Sequence, residues 1–229
     1  MVNKNNTEII YRQLSILITQ DGFLFYIHHQ KKDLSKGLVN VKLENIVSPK
    51  SLKLFQKHLK NFKHLYNFES IKVAFADANY TLIPKYYYKE ANKADYLKYN
   101  VQLLEEDQIT TDFIEAIDVY QVYIPLMNYH NAILEEVKEF EYQHFTNTLI
   151  NLSKPNTFDT KQRLNVFIRN HCIDIIAFEN QSFKLCNSFQ YESDYDLVYY
   201  VLFAVEELKF DQKQMSLQIY HDQDETEWL

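Results

Sequence analysis

The sequence predicts a mixed α/β protein in which one unit, three strands followed by a helix and a fourth strand, occurs twice. Three observations carry this. Apolar residues alternate on both sides of a turn signal near the start, an amphipathic helix leads into a buried apolar run, and the whole order returns 150 residues later, from Leu14 to Leu164.

In the first unit Leu14, Ile16 and Ile18 alternate with Ser15, Leu17 and Thr19, and Phe23, Phe25 and Ile27 resume the pattern after Asp21-Gly22. Asp-Gly between alternating runs predicts a hairpin with a type I′ turn, because both central residues of that turn need positive φ. A third strand is expected around Leu38–Leu43. Ser48-Pro49 then reads as an N-cap with proline at the first helical position, and Leu52, Phe55, Leu59, Phe62 and Tyr66 recur at spacings of three and four. Ile71–Ala76 is a mostly buried strand that ends at Asp77.

In the second unit Leu164, Val166 and Ile168 repeat the first strand, and Ile173, Ile175 and Ala177 the second. A third strand over Phe183–Phe189 follows. Ser193 with Asp196 three residues on forms a capping box for a helix over Asp194–Lys209, and Leu217–Tyr220 is the fourth strand. Between the units, Pro84–Asn100 is expected to be helical, Asp112–Ile117 and Val119–Pro125 to be strands, and Asn128–Phe140 to be a helix. Lys154-Pro155-Asn156 has loop composition without apolar periodicity. The boundary is therefore placed there, with residues 1–153 as the first lobe and 154–229 as a shorter second lobe.

Composition excludes several function classes. The 229 residues contain two glycines, Gly22 and Gly37, where an average chain would have about sixteen. A loop that cradles phosphate needs several residues without a Cβ, so neither a Walker-type loop nor a GxGxxG loop can be built. A net charge of −7 opposes a polyanionic partner. Cys172 and Cys186 form no CxxC pair, Met1–Thr7 is polar rather than a signal peptide, and the longest apolar run, Leu197–Val205, has nine residues, about half a membrane span. A cytoplasmic protein with free thiols, not inserted in a membrane, is expected.

A three-stranded meander, crossing helix and further strand, present twice, resembles the duplicated ribonuclease-H-like core of the actin-like ATPases. The segments LSILITQDGFLFYI, YTLIPKYYYKEANKADYLKYN, VYQVYIPL and FKLCNSFQYESDYDLVYYVLFAVEELKF more specifically resemble the bacterial family called domain of unknown function 3822, over about Gln13 to Asp222. The resemblance implies a degenerate actin-like fold with no assigned activity. It also implies a further helix-bearing segment after the point where this chain ends, so the second lobe is expected to be incomplete and its last strand to need covering by a partner or a second copy.

Active actin-like proteins place an aspartate two residues before a glycine in the first phosphate loop, where the carboxylate holds the water shell of Mg²⁺. Gln20 stands at that position here, with Asp21 beside Gly22, and the matching turn of the second unit is Arg169-Asn170-His171-Cys172. No ATP and no other cofactor is expected. The candidate residues of a cleft between the lobes are Gln20, Asp21, Asp77, Asn170 and His171. A second candidate surface is the basic stripe Lys53, Lys57 and Lys60, part of Lys50–His64 at helical spacing, which a solvated helix face explains as well.

Other chemistry is weaker. The histidine pairs His28-His29 and His58 with His64 point to different sides, and HExxH and GxSxG are absent. A carboxylate-and-metal enzyme of the nuclease type would use Asp21, Asp77 and one of Asp112, Glu115 or Asp118. Lysines among tyrosines in Pro84–Asn100 have the composition of a base-stacking surface, diluted by Glu90 and Asp95. The expectation is a non-catalytic interaction or scaffold protein with an unidentified protein partner, and a homodimer as one form of it. An RNA-associated module is the remaining alternative.

Overall fold

A computed structural model of the chain describes residues 12–29, 39–154 and 161–221. Met1–Thr7, Gly37, Pro155-Asn156 of the expected linker and the acidic end from Asp222 lie outside the described residues. The chain divides into two compact units, each treated on its own: the described residues of Met1–Asp77 with Ile124–Phe145, and those of Ala78–Tyr123 with Thr146–Leu229.

The first unit holds a five-stranded sheet of order β3-β2-β1-β4-β8. β1 (Arg12–Thr19) and β2 (Gly22–His29) form a hairpin in which Leu14 faces Ile27 and Thr19 faces Gly22, and β3 (Val39–Lys42) pairs with β2. α1 (Pro49–Leu65) returns the chain so that β4 (Ser70–Ala76) lies parallel to β1, Ile16 opposite Val73. The Ser48 hydroxyl accepts the Ser51 N–H at 3.1 Å and starts the helix as expected. Phe55, Leu59 and Phe62 face the sheet, where Phe62 stacks on Phe25 at 5.0 Å and Phe55 meets Phe23 edge-on at 5.2 Å. α3 (Met127–Val137) then packs on α1, and β8 (Glu141–His144) joins the sheet parallel to β4.

The turn between β1 and β2 is displaced by one residue from the Asp21-Gly22 reading. Gln20 and Asp21 form the loop, neither has positive φ, and the turn is therefore not type I′. Gly22 opens β2 instead. A Cβ there would lie 2.1 Å from the Val41 carbonyl oxygen of β3, so the third strand, not the turn, requires glycine.

The second unit repeats the frame. β9 (Gln162–Arg169) and β10 (Cys172–Glu179) pair with Leu164 opposite Ala177, the register of the first hairpin shifted by the sequence repeat. β11 (Ser182–Gln190) follows, then α5 (Asp194–Glu207) with its Ser193–Asp196 capping box, then β12 (Ser216–His221) parallel to β9, giving the order β11-β10-β9-β12. Leu164, Val166, Ile173, Ile175, Ala204 and Val205 form its core.

The intervening residues divide between the units, so compactness does not follow the 153/154 boundary at which the repeat begins. β5 (Tyr80–Pro84), β6 (Thr110–Ile114) and β7 (Val119–Tyr123) form an antiparallel sheet of order β5-β7-β6 that groups with the second unit, as does α4 (Phe145–Ser153). The Gln121 amide of β7 donates to the Thr146 hydroxyl of α4 at 2.5 Å, and both residues are buried. Pro84–Asn100 is not one helix. It consists of single 3-10 turns at Lys85–Tyr87 and Glu90–Asn92 and the short α2 (Lys93–Leu97). The Tyr96 hydroxyl, which accepts the Lys89 N–H and donates to the Tyr87 carbonyl, both at 2.9 Å, takes up backbone groups that a continuous helix would have paired. The strand expected to reach Ile117 stops at Ile114, because Glu115–Ile117 is a 3-10 turn closed by Asp118 at φ 53°.

Asn180 and Gln181, at φ 48° and 67°, form a two-residue turn between β10 and β11, the type I′ conformation that the first hairpin does not adopt. Glutamine carries a Cβ penalty there that glycine does not. Gln181→Gly is expected to raise stability by about 0.5–1 kcal/mol. A urea midpoint that stays or falls would show that the turn is not strained.

Candidate functional site

The parallel pairing of β1, β4 and β8 puts their C-terminal ends on one edge of the first sheet, the edge where ligands of open α/β sheets collect. Three of the expected residues meet the chain there. Gln20 and Asp21 form the loop after β1, and the Asp21 carboxylate accepts the Thr19 hydroxyl at 2.6 Å. Asp77 follows Ala76, which pairs with Thr19, and is 7% exposed. His144, fully buried at the end of β8, places Nε2 3.2 Å from the Asp77 carbonyl oxygen and 4.0 Å from its Oδ1.

In the second unit the equivalent loop is Asn170-His171, with His171 at φ 53°. The residues that anchor it were not expected from the sequence. Asp174, fully buried, is held by Arg169 through two bonds, Nε to Oδ2 at 2.7 Å and Nη2 to Oδ1 at 3.1 Å. The Ser188 hydroxyl donates to the same carboxylate at 2.6 Å, and the Tyr80 hydroxyl lies 3.0 Å from Ser188 Oγ and 3.6 Å from Cys186 Sγ. Arg169 Nη2 also reaches Cys172 Sγ at 3.2 Å, and the Tyr191 hydroxyl donates to the Arg169 carbonyl at 2.9 Å. One signal for this network was present in the sequence: Asp174 is the only charged residue in the run Ile173–Phe178, and a carboxylate inside a buried strand needs a partner.

Burial shapes the neutral groups. It pushes the Cys186 thiol up to about 12, with the negative charge of Asp174 adding to the shift and the Tyr80 hydrogen bond opposing it. It also raises Tyr80 well above the usual phenol value, and Tyr129 of the first unit to about 12. Cys186 is a half-buried small hydrophobe whose raised thiol pKa disfavours the thiolate that a nucleophile needs.

Among the described residues no three His, Cys, Asp or Glu side chains are grouped as a metal would require. Asp112, Glu115 and Asp118, proposed as partners of Asp21 and Asp77, belong to β6 and the turn after it, in a different sheet and a different unit. Lys53, Lys57 and Lys60 are exposed on α1, on the face opposite its buried Phe55, Leu59 and Phe62.

The family model described as "Protein of unknown function (DUF3822)" matches residues 2–229. The chain belongs to that family. A Bacteroides thetaiotaomicron protein with actin-like ATPase fold and unknown function shares 21% identity with it at a TM-score of 0.78, covering 98% of this chain and 87% of that one. The PilM–PilN type IV pilus biogenesis complex gives 9% identity and a TM-score of 0.50, covering 87% of this chain and 66% of that one. The cytoplasmic domain of EpsL, from the type II secretion system of Vibrio cholerae, gives 11% identity and 0.49, covering 95% and 88%. The first of these likenesses establishes the actin-like fold. No curated protein matches the chain in sequence.

Two outcomes follow for the network. Arg169→Met leaves Asp174 buried without its counterion and is expected to cost about 3 kcal/mol or more, whereas Arg169→Met with Asp174→Leu costs much less. Equal losses in urea unfolding of the two variants would show that the ion pair is not the unit of stability.

Alkaline pH tests the neutral groups. Cys186 rises from 9.0 to about 12 on folding, so above pH 9 the unfolded chain releases its proton first, and stability present below that pH is lost as pH climbs toward about 12. The loss is on the order of 1 kcal/mol per pH unit for each such group. Cys186→Ala is expected to flatten the decline between pH 9 and 11 in urea titrations, and an unchanged slope counts against the burial of the thiol.

Proposed function

We propose that this chain is a non-catalytic, cytoplasmic interaction protein that retains an actin-like fold without nucleotide chemistry. The observation that carries the reading is the state of the two equivalent hairpin loops. In the first, the space beside Gly22 is filled by the Val41 carbonyl, so the glycine serves strand packing and offers no open backbone to an anion. The loop carboxylate is bonded to Thr19. In the second loop Cys172 stands at the glycine position, and the nearby cation, Arg169, is neutralised by both oxygens of Asp174.

Partner binding fits this loss. One structural neighbour, at low identity, belongs to a two-protein complex of type IV pilus biogenesis, which supports a reading in which this fold binds a protein partner. No helix among the described residues is long and apolar enough to cross a membrane.

Titration calorimetry with Mg·ATP tests the proposal. No heat of binding is expected up to millimolar nucleotide. Saturable binding in the micromolar range would overturn it, and loss of that binding in Asp21→Asn or Arg169→Met would identify the loop responsible.

A further inference from the structure

The two copies of the crossing helix carry outward faces of opposite character. α1 holds five lysines and no acidic residue. Four of them, Lys50, Lys53, Lys57 and Lys60, are exposed and lie within an arc of about 80° of the helix. Among the described residues none of these four makes an ion pair, whereas Lys63, Lys72, Lys85, Lys93, Lys98 and Lys184 each have a carboxylate partner. Like charges three and four residues apart destabilise a helix, and Lys50 stands in a first turn without an acidic residue, where the helix dipole disfavours a cation. Nothing within α1 offsets the row.

α5 shows the reverse. Residues 194–207 contain no lysine or arginine. Tyr195, Tyr199 and Phe203 are 87%, 61% and 43% exposed, and Glu206 and Glu207 are exposed in a last turn that lacks a basic residue, again against the dipole. The units follow their helices. By sequence the first has thirteen lysines and arginines against ten acidic residues, the second eleven against twenty-one.

We propose that α1 of one copy docks antiparallel on α5 of a second copy, with Lys50 opposite Glu206, Lys53 opposite Phe203, Lys57 opposite Tyr199 and Lys60 opposite Tyr195. The lysines step by three, four and three residues and their counterparts by three, four and four, so the two rows keep pace over about 15 Å. Each ammonium then meets a carboxylate or an aromatic ring, and the aliphatic stems cover apolar surface. Lysine already takes this place within the chain, where Lys85 lies over Phe113 at 4.9 Å and Lys98 over Tyr99 at 5.3 Å. The antiparallel direction brings the N-terminus of α1 to the C-terminus of α5, so charges that oppose their own helix dipole are favourable across the contact. Other occupants satisfy one face only. Two α5 helices packed together leave the lysine row uncovered, and a polyanion on α1 leaves the tyrosines uncovered and is repelled by the second unit. Because the two faces differ, the contact is heterologous, and a pair of copies keeps one free face of each kind.

Sedimentation velocity on the full chain tests this. Association is expected to rise with concentration up to about 100 μM and to weaken about ten-fold between roughly 50 and 300 mM salt. Lys53→Glu with Lys57→Glu, and separately Tyr199→Lys with Glu206→Lys, are each expected to give a monomer, while an equimolar mixture of the two variants forms a 1:1 pair that grows no further, since each keeps the face the other lacks. Lys53→Gln with Lys57→Gln removes charge without reversing it and is expected to weaken association about ten-fold with a urea midpoint no lower than that of the unaltered chain. A monomer at every concentration, an assembly that survives the lysine changes, or a mixture that stays monomeric would each overturn the proposal. The contact does not depend on the hairpin loops, so Mg·ATP binding would remove the nucleotide-free reading and leave this one standing.

Discussion

The parallel pairing of the first strand with the strand after the crossing helix, β1 with β4 and β9 with β12, is the constraint on which the remaining structure depends. A hairpin alone leaves one face and one edge of its first strand open. Parallel pairing fills that edge only if the chain travels back along the sheet, and a helix does so while burying an apolar stripe. Phe55, Leu59 and Phe62 in the first unit and Tyr200, Ala204 and Val205 in the second supply that stripe. The same pairing fixes where the loops lie. Because β1, β4 and β8 run together, the Gln20-Asp21 loop, Asp77 and His144 share one edge without any interaction needed to recruit them.

This dependence explains what could be read from residues. Alternation around the two hairpins gave their register, and the repeat of that register is seen in the pairing of Leu14 with Ile27 and Leu164 with Ala177. What escaped was set by contacts distant in sequence. The turn at Gln20-Asp21 carries an Asp-Gly signal, yet β3 claims the glycine through Val41, and no local pattern records that. β5, β8 and α4 were not assigned at all: β5 and β8, of five and four residues, are too short for alternation to stand out, and the sheet partners that complete them come from elsewhere in the chain. Pro84–Asn100 looked helical by composition, and a single tyrosine hydroxyl, that of Tyr96, holds the backbone otherwise. In the candidate site, the loops were legible because they interrupt alternation. His144 and the Arg169–Asp174–Ser188 network were not, since their chemistry arises from register across strands.

The shortage of glycine acquires a second meaning. Left-handed backbone is still required at Asp118, Lys138, His171, Asn180, Gln181 and Lys209, and residues with a Cβ supply it at all six. Asn and Asp tolerate that region, but Lys and Gln gain nothing from it. At Lys209 the backbone closes α5, with the Phe210 N–H reaching the Val205 carbonyl at 3.0 Å, a place where glycine is the usual occupant. A turn can thus persist after glycine is replaced, at a modest energetic cost. An anion cradle cannot, because its function is the approach of the phosphate to bare backbone.

The same asymmetry separates what duplication keeps from what it releases. Strand order, pairing register and helix capping recur in both units because each is tied to many other residues, and a change in one disrupts the sheet. Side chains on the loop tips and outward helix faces are tied to few. Thr19 is matched by Arg169 and Gly22 by Cys172, and a lysine-rich helix face is matched by one of tyrosine, valine, leucine and phenylalanine. The second unit has compensated internally at its loop, where a buried carboxylate neutralises the new arginine. At α5 the outward face keeps its exposed tyrosine, valine, leucine and phenylalanine side chains, with no covering element among the described residues.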